Sequence, residues 1–211
     1  MVSLFLATLV QAAGLSISLD GIDEAYKIED YTIPSFTQFL VAREAAKANP
    51  SDANMEALAA QIALLKTYQH PYNVVTNING DPTTRMAFAW FTNDRMLEGQ
   101  VQLTAIDDLA SLQTAFDAAT DIVTVNATST ATKKIRYAIG ASGIPAATGV
   151  SMSTKYKYTS HKAIAENLAP NTIYAYRVGT EGYWSEVAYF TTAPINQEDA
   201  SEEFTFIYMT D

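Results

Sequence analysis

One stretch, Asn-Leu-Ala-Pro-Asn-Thr-Ile-Tyr-Ala-Tyr-Arg-Val-Gly over residues 167–179, limits what this chain can become. It begins as a turn and ends as a strand. Pro170 fixes its own φ, and Asn171 tolerates turn geometry. Beyond them the side chains alternate, with Thr172, Tyr174, Tyr176 and Val178 on one face and Ile173, Ala175 and Arg177 on the other. A turn with Leu and Pro followed closely by Tyr is what a tyrosine corner requires. The ring fills the core where the chain turns between strands, and the hydroxyl reaches back to nearby backbone. The stretch predicts one strand of an antiparallel sandwich.

The rest of the chain has the material for such a sandwich. Its 211 residues are 48% apolar and include 12 Tyr, enough for one or two domains with a sizeable core. Asp plus Glu number 23 against 13 Lys plus Arg, a formal charge of -10. That surface repels nucleic acid and anionic lipid, so neither is expected as a partner. Having no cysteine, the chain makes no disulfide, thiolate metal site or cysteine nucleophile. No segment reaches the roughly 20 apolar residues of a membrane span. Residues 2–10 are uncharged and mostly apolar, with small residues following. Residues 1–14 read as the remnant of an export signal, although no basic residue precedes Lys27. A packed N-terminal strand or helix is the alternative.

Residues 15–70 read as an acidic segment followed by a helical hairpin. Pro34 is expected to close the acidic part, and Ser35 with Gln38 to form a capping box. Asn49-Pro50 stops the first helix, and Ser51 is a plausible N-cap for the second. There Met55, Leu58, Ala59, Ile62 and Leu65 make one apolar face. Residues 71–194 then read as the sandwich. Strands are expected at 72–78, 84–92 (with Trp90 in the core), 98–104 and 187–192, besides the opening stretch and the strand leading into it. Residues 105–135 break the rhythm and are expected as an insertion, with a short helix carrying Leu109, Leu112 and Phe116, and with the Thr-, Ala- and Ser-rich residues 124–132 as a loop or an edge strand. Asn126-Ala127-Thr128 is a glycosylation sequon. Residues 195–203 are polar and acidic, a linker by composition. The run 204–211, Phe-Thr-Phe-Ile-Tyr-Met-Thr-Asp, is a near-continuous apolar strand ending in a carboxylate. Such runs are typical of strands buried on both faces of a parallel sheet, whose carboxyl ends hold ligands.

The order of these parts is informative. A Gly-Asp-Pro turn (80–82) and a Trp-x-Thr strand (90–92) come first. Asn-Leu-x-Pro-x-Thr-x-Tyr-x-Tyr-Arg-x-Gly, Trp184-Ser185 and Phe-Thr-Thr-x-Pro (190–194) come next, before the acidic linker and the run ending at Asp211. As an ordered set, residues 72–211 resemble the fibronectin type III-like N-terminal domain of purple acid phosphatases, running into the first strand of their calcineurin-like metallophosphoesterase domain. The resemblance implies a mainly β fold: an antiparallel fibronectin or immunoglobulin-like sandwich, here preceded by the helical hairpin and followed by a linker and an isolated strand. It also implies a longer parent that hydrolyses phosphate esters on a binuclear metal centre, exported from the cytoplasm, in which Asp211 is a metal ligand. In that parent the catalytic domain of the same chain is the partner of this portion. The remaining ligands are missing from this sequence, so the 211 residues are expected to have no phosphatase activity, no catalytic residue and no cofactor of their own.

The two histidines offer no substitute. His70 and His161 are far apart and lack His or Cys companions at ligand spacing, so neither is expected as a ligand or catalytic group. No Gly-rich phosphate loop or Gly-x-Ser-x-Gly elbow appears. Lys155-Tyr156-Lys157-Tyr158 reads as one strand with two faces. The rival reading is a cell-surface binding module that uses a fibronectin-like sandwich to contact protein or glycan. It expects residues 204–211 to complete the sandwich instead of beginning another domain.

Overall fold

Period-two alternation in the sequence becomes two facing antiparallel sheets. The computed structural model describes residues 10–12, 15–93, 95–110, 112–131, 135–136, 155–156 and 158–195. The run 204–211 with Asp211 lies outside the described residues, as do nearly all of the expected linker and most of the expected signal remnant.

A small hairpin of β1 (Val10–Ala12) and β2 (Leu15–Ile17) leads into α1 (Ile22–Ala25), α2 (Ile33–Ala48) and α3 (Asp52–Ala63). The pair α2–α3 closes over Phe36, Phe39, Leu40, Met55 and Leu58, joined by Ile17 and Ile22. The start of α2 differs from the expected capping box. Thr32 is the N-cap, and Pro34 lies in the first turn rather than ending the segment before it. That position suits proline, because first-turn amides have no intrahelical acceptor. Ser35 is thus inside the helix. Its hydroxyl lies 2.8 Å from Thr32 Oγ1 and accepts the Lys66 N–H at 3.1 Å, tying the helix start to the strap leaving α3. Ser51 does cap α3, accepting from the Asn54 N–H.

The sandwich comes after the hairpin. Its strands are β3 (Tyr72–Asn77), β4 (Met86–Asn93), β5 (Gln100–Ile106), β6 (Val123–Asn126), β7 (Thr128–Ala131), β8 (Ile135–Arg136), β9 (Lys155–Tyr156), β10 (Tyr158–Ala165), β11 (Ile173–Thr180), β12 (Tyr183–Trp184) and β13 (Ala188–Thr191). Sheet 1 has the order β3-β4-β10-β7. Sheet 2 has the order β12-β11-β5-β6, with β13 also paired to β11. Strands β8 and β9 pair with each other. Met86, Phe88, Trp90, Val101, Leu103, Tyr174, Tyr176, Val178 and Phe190 fill the space between the sheets. This core is separate from that of the helical hairpin.

The stretch 105–135, expected as an insertion, supplies strands to both sheets, and of the two readings of 124–132 the edge strand is the one that forms. It carries α4 (Leu112–Ala118), which buries Phe116, and then β6 and β7, an edge strand for each sheet. Both strands are short and largely solvated; β7 (Thr-Ser-Thr-Ala) lacks the apolar alternation by which interior strands are read, and β6 (Val-Thr-Val-Asn) shows it over four residues only. Helix α4 also starts later than Leu109, which stays exposed.

The opening stretch forms the corner it predicted. Asn167 and Asn171 adopt left-handed backbone, at φ 59° and 48°. The Tyr174 hydroxyl accepts the Ala169 N–H at 2.8 Å. Thr192 completes the knot, accepting from the Thr172 N–H at 3.0 Å and donating to the Ala169 carbonyl at 2.7 Å. Backbone bonds then tie Asn171 to Ala193, Ala193 to Pro82 and Leu168 to Thr84. At the far end of β11, Gly179 has φ 144°, and a Cβ there would meet the Tyr183 carbonyl at 2.2 Å. Only glycine lets the β11–β12 turn close this tightly.

Replacing Tyr174 by Phe removes one oxygen and leaves the Ala169 amide unsatisfied. Urea unfolding is expected to show a loss of about 1–3 kcal/mol with an unchanged slope. An unchanged midpoint would mean that the hydroxyl does not hold the corner.

Candidate functional site

The polar chemistry of the sandwich gathers at the end opposite the corner. Antiparallel pairing sets Trp90, His161 and Ser129 side by side on β4, β10 and β7. All three lie on the inward face of sheet 1, and Thr92 sits one inward position along from Trp90. His161 is fully buried. One ring nitrogen, Nε2, lies 2.7 Å from Thr92 Oγ1, and the other, Nδ1, lies 2.7 Å from Ser129 Oγ. The imidazole stacks on the Trp90 ring, with centroids 5.2 Å apart and planes 14° apart.

Gly99, at the start of sheet 2, closes over this pair. A Cβ at residue 99 would lie 2.8 Å from His161 Nδ1 and 2.8 Å from Trp90 Cζ2. The two sheets approach here only because residue 99 has no side chain. On its other side Gly99 forms part of a surface groove of about 530 Å³, lined also by Leu97, Glu98, Gln100, Asn126, Thr180 and Glu181.

This arrangement can do little chemistry. A Ser–His contact is half of a nucleophile–base pair, but such a pair needs an accessible base with a pKa near the working pH. Burial pushes the His161 imidazole down to about 4, so at neutral pH it is uncharged. A neutral ring donates from one nitrogen and accepts at the other, and the two hydroxyls satisfy both. His161 is therefore a core residue that links β4, β10 and the edge strand β7. The groove outside carries the carboxylates of Glu98 and Glu181 and no basic group in its lining, a setting that disfavours a phosphate ester.

The other residues singled out in the sequence are dispersed. His70 lies where the chain enters the sandwich, bonded to Thr67 and edge-on to the Tyr183 ring at 5.3 Å. Asn126 of the sequon is exposed at the end of β6, and its amide oxygen accepts from Gln100. Arg177, on the outer face of sheet 2, bonds to Gln102 and lies against the Phe116 and Trp184 rings. Among the described residues no three His, Cys, Asp or Glu side chains converge as a metal site requires. Among them, too, no helix is long and apolar enough to cross a membrane. The sequence reading missed the part played by Gly99. The signal available was the alternation that carries His161, Ala163 and Ala165 inward. The glycine that faces them comes from a distant strand.

Comparison with known proteins fits this picture. The family model described as the N-terminal domain of purple acid phosphatases matches residues 71–192. Among solved structures, purple acid phosphatase PPD1 from yellow lupin (Lupinus luteus) seeds is 16% identical with a TM-score of 0.38, covering 60% of this chain and 20% of its own. The chain thus spans about a fifth of that protein's length. The sensor domain of the anti-sigma factor RsgI4 of Pseudobacteroides cellulosolvens is 12% identical at a TM-score of 0.28, covering 64% of this chain and 99% of that one. Astrotactin-2, a vertebrate-specific perforin-like membrane protein, is 11% identical at 0.31, covering 61% and 23%. These three likenesses are too slight to carry structural inference. No curated protein matches the chain.

Two outcomes test the packed end. Gly99→Ala is expected to destabilise the fold by about 1–3 kcal/mol through forced displacement of His161 or Trp90, measured by urea unfolding. Stability is also expected to depend on His161 protonation. The group's pKa is lowered on folding, from an ordinary value near 6.5 to about 4. Its contribution is therefore complete above pH 6.5 and is lost as pH falls from 6.5 towards 4. With allowance for water on the groove side, the loss is on the order of 2 kcal/mol. Unfolding curves across that window check it, and His161→Gln should flatten the dependence.

Proposed function

The chain belongs to the purple acid phosphatase N-terminal domain family, and we propose that it is the non-catalytic accessory portion of an exported metal-dependent phosphoesterase. The observation that carries this reading is the family match over 71–192, which spans the sandwich from the start of β3 to the corner residue Thr192. The spent chemistry of that sandwich supports it: the buried histidine is occupied by two hydroxyls, and the groove is lined by carboxylates.

In this reading residues 204–211 open the catalytic domain, and Asp211 supplies one carboxylate to a binuclear metal centre. Such a centre generates a hydroxide nucleophile and clamps the phosphoryl oxygens of the ester. In this reading the present chain contributes structure instead of a reaction step. It carries the helical hairpin at one end and presents the continuing chain at the other. Export from the cytoplasm belongs to the same reading. It rests on the signal-like residues 1–14.

A surface binding module is the second reading, favoured by the groove between Leu97 and Glu181. The two part on activity. A protein that continues through the codons after Asp211 is expected to bind metal and hydrolyse p-nitrophenyl phosphate. Asp211→Asn in it should lower metal content and reduce turnover by roughly a hundredfold or more. The 211-residue chain should do neither. If the longer protein is inert and free of metal, the phosphoesterase reading fails.

A further inference from the structure

The outer faces of the two sheets are treated differently. Sheet 2 is covered over β5 and β11: Phe116 of α4 is buried against it, and Thr104 and Ala175, which point outward from those strands, are buried beneath, while Tyr189 beside Ala175 on β13 stays exposed. The outer face of sheet 1 has no such cover among the described residues. Since Phe88, Trp90, Ala163 and Ala165 point into the core, their neighbours Ala87, Ala89, Phe91 and Ile164 point out. The β3 register adds Val75 beside Ala89. Val75 is 49% exposed and Ile164 38%. Between them Ala87 and Ala89 leave the surface flat, with Lys162, Ser160 and Asn77 among the outward positions and the Arg85–Glu166 ion pair at its end. A flat apolar sheet face of this kind is normally covered by another layer.

The path of the chain says what the layer is. The helical hairpin occupies one end of the sandwich. There the Arg95 guanidinium lies 3.9 Å from the centre of the Tyr68 ring and bonds to the Glu29 carbonyl, and the Asn93 N–H bonds to the Tyr68 carbonyl. The chain leaves the sandwich at the other end. Ala193 is bonded to Pro82 in the β3–β4 loop, next to sheet 1. Apolar side chains flank this exit: Ile195 is 74% exposed, and Ile78, which opens that loop, is 68% exposed. The eight residues 196–203 are mostly polar, and Phe204 begins the next apolar run. Extended, eight residues reach about 26 Å, close to the length of an eight-residue strand. Phe204 can therefore be brought to any point along the sheet 1 face.

We propose that the outer face of sheet 1, centred on Val75, Ala87, Ala89 and Ile164, is the docking surface for the part of the same chain beyond Ile195. This rests on the reading that residues 204–211 open a further domain, and it specifies which surface that domain covers. It also accounts for the different cover on the two sheets. Sheet 2 receives α4 from the connection between its strands β5 and β6, and sheet 1 receives its layer from the continuing chain.

The test uses the natural protein with everything its gene encodes after Asp211. The photoreactive residue p-benzoylphenylalanine replaces Val75, Ile164 or, as a control on the helical hairpin, the 63% exposed Leu64. Irradiation, digestion and mass spectrometry then map the cross-links. Intramolecular links from positions 75 and 164 to peptides beyond residue 203, absent from position 64, are expected. Links to a second copy, links to the helical hairpin, or no links from either face position would overturn the proposal. Metal content and p-nitrophenyl phosphate hydrolysis are measured on the unsubstituted protein. Hydrolysis without the expected links removes the docking face and leaves the phosphoesterase reading standing. The expected links in a metal-free, inert protein keep the face and remove the phosphoesterase reading.

Discussion

The hydrogen bond from the Ala169 amide to the Tyr174 hydroxyl is the constraint on which the sandwich depends. It fixes where the chain leaves sheet 1 at β10 and enters sheet 2 at β11. Once that crossing is fixed, Tyr174, Tyr176 and Val178 must face the core. A slip of one residue would turn all three to solvent. Thr192 reads the same turn from the last strand, bonding to Thr172 and Ala169. The corner thus locks β10, β11 and the chain exit in a single network, and the bond from Ala193 to Pro82 adds the β3–β4 loop.

The opposite end solves a different problem. A histidine placed between two sheets must stay neutral and find partners for both nitrogens. Thr92 and Ser129 provide them, and Gly99 provides the room. The result makes the edge strand β7 part of the core through one side chain. The same region receives the helical hairpin, through Tyr68 and Arg95. The sandwich therefore holds the helical hairpin at one end and releases the chain past Ala193 at the other. That division suits an accessory part that spaces and orients its neighbours.

Much of this was legible in the sequence where local chemistry decided the outcome. The Leu-x-Pro turn and the spacing to Tyr174 identified the corner. The alternation around Trp90 identified a core strand, and Ser51 a helix cap. Where the sequence reading fell short, the deciding partner lay far along the chain. Strands β6 and β7 are four-residue solvated edges, so the choice between loop and edge strand for 124–132 depends on their pairing with β5 and β10. Gly99 matters only because His161 and Trp90 come to lie beneath it. Ser35 read as a cap because Pro34 resembled a terminator, whereas the first helical turn accommodates proline without loss. The family was legible from the order of motifs between Gly80 and Pro194, which the family model spans almost entirely.

The hydrogen-bond network of the corner closes the sandwich at Thr192 and Ala193. Thermal unfolding of residues 1–195 compared with residues 1–211 tests that directly. An unchanged midpoint, with the near-ultraviolet signal of the buried aromatic core retained, is the result expected of a self-contained accessory domain. A fall of several degrees would mean that residues 204–211 complete the sandwich. It would favour a free-standing binding module over the N-terminal part of an enzyme.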